Sequence, residues 1–289
     1  MHNAMRTRAI GKRQVGVIGL GAMPMSVAGH MPDENQSIRT ILAALDAGVT
    51  LVDTADAYTP SHTDVGHNER LVARALSLWG GDTGSVLVAT KGGHTRTPEG
   101  WGRDGSLDYL RKACDRSLKA LGVDSIGLYQ HHRPDPNVPY EETMGALKEL
   151  HDAGKIQMAG ISNANPEQIR LARAILGDRL VSVQNEYSPR FRSSEPEIDV
   201  CEELGLAFLP WSPLGGIGRT GETTERNAVF TGIAAARGVS PYQVCLAWEL
   251  ARSPVVIPIP GASRPESILD SVRAADLELT AEELARLNG

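Results

Sequence analysis

Six of the eight short apolar runs in this 289-residue chain end on side chains of the kinds that hold substrates and move protons. Asp53 closes TLVD, and Tyr58 stands five residues further on. Lys91 follows VLVAT, and His132 follows IGLYQ. Ser162 and Asn163 end MAGIS, Gln184 and Asn185 end VSVQN, and Trp211 and Ser212 end AFLPW. A single residue of this kind is ordinarily a satisfied strand-end polar group. Six terminations converging on one rim make an acid, base and amide set suited to a small-molecule site.

Other chemistries fit less well. Gly19-Leu20-Gly21 starts like a dinucleotide fingerprint, but Ala22-Met23-Pro24 follows, so the third glycine is missing and proline blocks an immediate helix. No G-x-x-x-x-G-K-[ST] phosphate loop occurs. His62, His67 and His94 fall in expected loops without matched carboxylate spacing, so no metal is expected. Cys114, Cys201 and Cys245 are odd in number, widely spaced and set in helix-like patterns, and they read as reduced core thiols of a cytoplasmic protein.

A net charge of -6 weighs against nucleic-acid or anionic-membrane partners, which need a basic field. The opening MHNAMRTRAIGKRQ has no apolar signal core, and no apolar stretch approaches the ~20 residues of a spanning helix. A small-molecule partner fits best.

The elements that must position these residues repeat. Amphipathic helix patterns end at Ala47-Gly48, Leu121-Gly122, Ala153-Gly154, Leu176-Gly177 and Leu204-Gly205, each followed by an apolar run without polar alternation. That is the pattern of strands buried on both faces. The runs are VGVIGLG (15–21), TLVD (50–53), VLVAT (86–90), IGLYQ (126–130), MAGIS (158–162), VSVQN (181–185), AFLPW (207–211) and VVIPI (255–259). Helix starts are expected at Asn165 with Gln168, Ser240 with Gln243, Ser263 with Glu266 and Thr280 with Glu283. Eight βα units predict an α/β fold, a (β/α)8 TIM barrel with its site at the C-terminal strand ends. RTRAIGKRQ predicts a short N-terminal β-hairpin across the bottom. The stretches Pro189 to Glu197 and Gly215 to Arg226 are expected to be long loops, and no linker divides residues 1–289.

LVDTADAY, VLVATKGG, LYQHHRPD, GISN, VQNEY, PWSPLGG and IPGASRPE, in this order and spacing, resemble the aldo-keto reductase superfamily over nearly the whole chain. The resemblance implies a metal-free barrel that interconverts carbonyls and alcohols with a nicotinamide cofactor, usually NADPH, with NADH as the other form. It assigns catalysis to Asp53, Tyr58, Lys91 and His132. Tyr58 gives the proton, Lys91 lowers the tyrosine pKa, Asp53 holds the lysine and His132 orients the carbonyl. In the Tyr-Gln-x-His pattern the histidine is His132, while His131 lies on the opposite strand face as a packed residue with a local partner.

The cofactor carboxamide falls to Ser162, Asn163 and Gln184, and the ring to Trp211. Ser212 is a further cofactor position, and the backbone of Leu214, Gly216 and Gly218 borders the pyrophosphate. Gly21, Ala22, Met23 and Asp53 lie beside the cofactor, and Gly261, Ser263, Arg264, Ser267 and Asp270 toward its adenine end. Arg264 at a helix start is expected to favour NADPH. Trp101 and His132 line the substrate pocket. Two other functions carry the same resemblance: an NAD(P)-dependent dehydrogenase of a sugar or alcohol, and a cofactor-sensing regulatory barrel of the channel-subunit kind.

Overall fold

The computed structural model describes residues 5–27, 29, 31–215 and 228–289. The N-terminal hairpin is present: Thr7–Ile10 (β1) pairs antiparallel with Arg13–Gly16 (β2). It takes Val15 and Gly16 from the first apolar run and leaves Leu20–Gly21 (β3) as the first barrel strand. Ile10 and Val15 join Leu51, Leu87, Leu128, Ile257 and Ile259 in one apolar cluster, so the hairpin seals the barrel from below.

Chain order continues with Leu51–Asp53 (β4), Leu87–Gly92 (β5), the pair His94–Thr97 (β6) and Gly100–Arg103 (β7), then Leu128–His131 (β8), Ala159–Ser162 (β9), Leu180–Gln184 (β10) and Ala207–Phe208 (β11). Seven of them form a parallel sheet in the order β3-β4-β5-β8-β9-β10-β11. The eighth run closes the barrel without becoming a regular strand. Ile257 and Ile259 donate backbone N–H bonds to Phe208 and Pro210, while Pro258 and Pro260 accept from Gly19 and Gly21. Both residues facing the first strand are prolines and have no N–H to return, so this ladder is made by carbonyls alone.

The helices are Glu34–Asp46 (α1), His67–Leu78 (α2), Leu107–Leu121 (α3), Tyr140–Asp152 (α4), Pro166–Leu176 (α5), Glu195–Leu204 (α6), Ala228–Arg237 (α7), Pro241–Arg252 (α8), Pro265–Val272 (α9) and Ala281–Asn288 (α10). All five expected glycine closures have positive φ, as at Gly122 (69°) behind α3. The capping boxes at Asn165/Gln168 and Thr280/Glu283 form, and Ser240 accepts from the Gln243 N–H.

Three expectations change. Ser263 does not cap α9: Pro265 takes the first helical turn, which makes the extended Arg264 the N-cap, without a side-chain bond. The loop expected through Glu197 ends sooner, because Glu195 already starts α6 with Pro196 in its first turn. His67 opens α2 rather than lying in a loop, and its Nδ1 meets Ser26 Oγ at 2.9 Å. Of the other expected loop, Gly215 to Arg226, all but Gly215 lies outside the described residues. Among the described residues no helix is long and apolar enough to cross a membrane.

Candidate active site

Side chains of β5 alternate, so Leu87, Ala89 and Lys91 point into the barrel. Lys91 is fully buried, yet its ammonium has three partners: Asp53 Oδ1 at 2.5 Å, the Thr54 carbonyl at 2.9 Å and Tyr58 Oη at 3.2 Å. Burial works against that charge. Asp53 and Tyr58 more than offset it, and the Lys91 pKa lies above its ordinary value. Asp53 is held from its other oxygen by the Gln184 amide at 2.8 Å and the Gln130 amide at 3.3 Å.

Tyr58 departs from expectation. Burial raises its pKa, and the neighbouring Lys91 charge lowers it without overcoming burial, so the net direction is upward. Tyr58 therefore stays protonated at neutral pH, while Lys91 remains aimed at the oxygen where negative charge appears on deprotonation. His132 meets Tyr58 edge to face with ring centres 5.6 Å apart. Burial and then Lys91 push its pKa far down, so it is a neutral imidazole.

Asp53, Tyr58 and His132 line a cavity of about 470 Å³. The β6–β7 hairpin, where the sequence suggested an irregular loop, forms one wall. The His94 ring lies tilted against its neighbours, 4.6 Å from His132 and 5.0 Å from Trp101, and Trp101 borders the cavity. Burial, followed by Arg133, Arg103 and Arg96, lowers the His94 pKa to about 4. Across the cavity stand Ser162, Asn163, Gln184 and Trp211. Asn163 and Ser212 are the only non-glycine residues with positive φ among the described residues, at 57° and 53°. Asn163 Nδ2 donates to the His132 carbonyl at 3.0 Å, and Ser162 Oγ to the Gln184 carbonyl at 2.7 Å. These left-handed conformations follow β9 and β11, on either side of β10, and turn the chain at the cavity rim.

The Aldo/keto reductase family profile matches residues 17–289. The chain belongs to the aldo/keto reductase family. It is 32% identical over 286 residues to an uncharacterised oxidoreductase of Schizosaccharomyces pombe, spanning 98% of this chain and 89% of the relative. Its structure is similar to that of the glycerol dehydrogenase from Gluconobacter oxydans, with a TM-score of 0.83, 28% identity and coverage of 98% and 94%. It is also similar to an aldo/keto reductase from Klebsiella pneumoniae in complex with NADP and acetate, with a TM-score of 0.81, 28% identity and coverage of 99% and 95%. The (β/α)8 barrel and oxidoreductase chemistry are those of the family.

Of the positions that the resemblance assigns to a cofactor, Gly21, Met23, Asp53, Ser212, Leu214 and Gly261 border the same cavity. Ala22 lies beneath it, with its N–H on the Asp53 carbonyl. Gly216 and Gly218 lie outside the described residues. Arg264 is exposed at the α9 N-terminus and Ser267 is half-buried in its first turn. Gln36 holds the Ser263 carbonyl at 2.8 Å. Asp270 points to the helix layer, where its oxygens accept from Ser240 Oγ and Gln243 Nε2, both at 2.5 Å.

His131 corrects the expected local partner: it is fully buried, and neither ring nitrogen has a hydrogen bond. Burial lowers its pKa to about 4 and keeps it neutral. Sequence reasoning missed Gln130, although strand alternation places it on the face of His132. It also missed Asn68. That buried amide donates to the Ala22 carbonyl and Ser26 Oγ, accepts from Thr54 Oγ1, and offers its backbone N–H to the Tyr58 carbonyl. Among the described residues no cluster of three or more His, Cys, Asp or Glu could hold a metal.

Proposed function

We propose that this aldo/keto reductase reduces aldehydes and ketones to alcohols with NADPH, using Tyr58 as general acid. The observation that carries this reading is the contact between Lys91 Nζ and Tyr58 Oη. Because the phenol oxygen accepts from the ammonium, its own proton is left to point into the cavity. The groups opposite suit a nicotinamide. Asn163 and Gln184 spend their amide nitrogens on protein partners, leaving Oδ1 and Oε1 as acceptors for a carboxamide NH2. Gly21 and Gly261 let the chain pack closely where it borders the cavity: a Cβ on Gly21 would come within 2.8 Å of the Ile259 carbonyl, and one on Gly261 within 2.8 Å of Pro24.

When bound, the nicotinamide supplies a hydride to the carbonyl carbon. Tyr58 gives its proton to the carbonyl oxygen as the C=O electron pair moves there, and the pair of the broken O–H bond stays on Tyr58 as a phenolate beside Lys91. Asp53 keeps Lys91 in place, with Gln184 and Gln130 fixing the carboxylate. Neutral His132 hydrogen-bonds the carbonyl without competing as an acid. Run in reverse, the same groups oxidise an alcohol, a direction supported by the likeness to a glycerol dehydrogenase.

Preference for NADPH rests on Arg264. A cation at a helix N-terminus is mildly disfavoured alone, and a phosphate beside it would be met by both the guanidinium and free backbone N–H groups. The three buried free thiols support a reducing, cytoplasmic setting.

Titration with NADPH and NADH by tryptophan quenching, then turnover of aldehydes, ketones, dicarbonyls and pyranoses, tests the reading. Tighter NADPH binding and carbonyl-dependent NADPH oxidation are expected; absence of both contradicts it. Arg264→Ala should weaken NADPH by about 1–3 kcal/mol and hardly move NADH. Equal weakening of both overturns the phosphate assignment.

A further inference from the structure

Arg133 follows His132 past the end of β8, is half-buried and borders the active-site cavity. Its guanidinium makes no hydrogen bond and no ion pair with any described residue. The neighbouring cations are all engaged. Lys91 is paired with Asp53, Arg103 donates to the Pro134 carbonyl at 3.3 Å, and Arg96 lies over the Trp101 ring at 4.2 Å. Glu186 is the acid whose charge Arg133 feels. Partial burial of a five-donor cation without a partner is costly and has an obvious use where the cavity admits a ligand.

The anion it awaits belongs to the substrate by topology. Arg133 extends from the fourth strand of the barrel, whereas Leu214, assigned to the pyrophosphate, follows the seventh and Gly261, assigned to the adenine end, follows the eighth, across the ring. The surrounding walls are apolar or neutral: Trp101, Trp211, Val27 and the unprotonated His94. In such a setting a planar fork of N–H donors recognises a carboxylate bidentately.

Resting on the reductase reading above, we propose that Arg133 is an anion anchor and that this pocket selects carbonyl substrates bearing a carboxylate remote from the reacting carbon.

The test compares 4-carboxybenzaldehyde with its neutral near-isostere 4-formylbenzamide, using NADPH, in wild type, Arg133→Gln and Arg133→Lys. Wild type should favour the anion in kcat/KM by about tenfold, the worth of one charged hydrogen bond, mainly through KM and less at high salt. Arg133→Gln should abolish that ratio and Arg133→Lys should restore part of it. A wild-type ratio of one or less, or an Arg133→Gln loss equal for both aldehydes, overturns the proposal. A second arm needs no turnover: benzoate binding to the wild-type and Arg133→Gln proteins, read by fluorescence of the cavity tryptophans. Benzoate weakened about tenfold by the substitution supports the anchor even if the reductase reading fails, and unchanged benzoate binding rejects it.

Discussion

On the barrel side of β5, Lys91 forms an ion pair with Asp53 and every strong donor of the ammonium has a partner. On the helix side of the same strand, Thr90 donates to buried Glu69 at 2.5 Å, Tyr129 keeps an unpartnered hydroxyl, and both oxygens of Asp56 lack a hydrogen bond. Arg116 reaches Asp56 only at 3.7 Å and is itself partly exposed. Burial and then the Glu69 carboxylate drive the Asp56 pKa far up, and burial raises that of Glu69. The two centres are separated by one strand and share nearly the same depth. Their difference is pairing: charge survives burial where the opposite charge and hydrogen bonds meet it, and acids are neutralised where they do not.

Removing the paired charge should have the largest effect. Lys91→Met is expected to lower kcat by about 10³-fold, within the range of lost proton-transfer assistance. With the Lys91 charge gone and burial and Asp53 still raising the Tyr58 pKa, it climbs further, so the alkaline fall in reduction rate moves to higher pH. An unchanged pH profile with substantial turnover would break the coupling between the two residues.

The helix-side centre should respond in stability instead. A Cβ at Gly92 collides with the Tyr129 hydroxyl, so Gly92→Ala is expected to cost about 1–3 kcal/mol. The same change in a Tyr129→Phe background should cost less, as thermal melting can show. Equal losses in both backgrounds would place the strain elsewhere.

Asp56→Asn is the smallest and most discriminating change. Because Asp56 binds its proton more tightly folded than unfolded, wild type keeps this stability below the ordinary carboxylate value of 3.8 and loses it as pH rises from there toward the raised folded value. The variant, neutral throughout, should melt progressively higher than wild type as pH increases. A difference in melting temperature that does not grow with pH would mean Asp56 is ionised and paired after all.

Much of this arrangement can be read from residue order. Glycine after five of the helices, buried β runs between them and RTRAIGKRQ before them specify the barrel and its plug because these are local conformational facts. Strand ends likewise expose Asp53, Lys91, Ser162 and Gln184. Partners are harder to read: Gln130 and Gln184 reach Asp53 from 77 and 131 residues away, and nothing local marks either as its support. Pro258 and Pro260 hide the eighth strand's irregular ladder in an ordinary apolar run. The direction of the Tyr58 shift is also beyond reach, since it depends on burial outweighing a cation whose identity alone suggested the reverse.

The proton step itself is the most direct test. Tyr58→Phe keeps the ring and removes only the hydroxyl that faces Lys91. Single-turnover NADPH oxidation with a saturating aldehyde should slow by roughly 10³-fold or more, while the NADPH dissociation constant stays within about threefold, because only the transition state needs that proton. Turnover within about tenfold of wild type would contradict the assignment of Tyr58 as the acid.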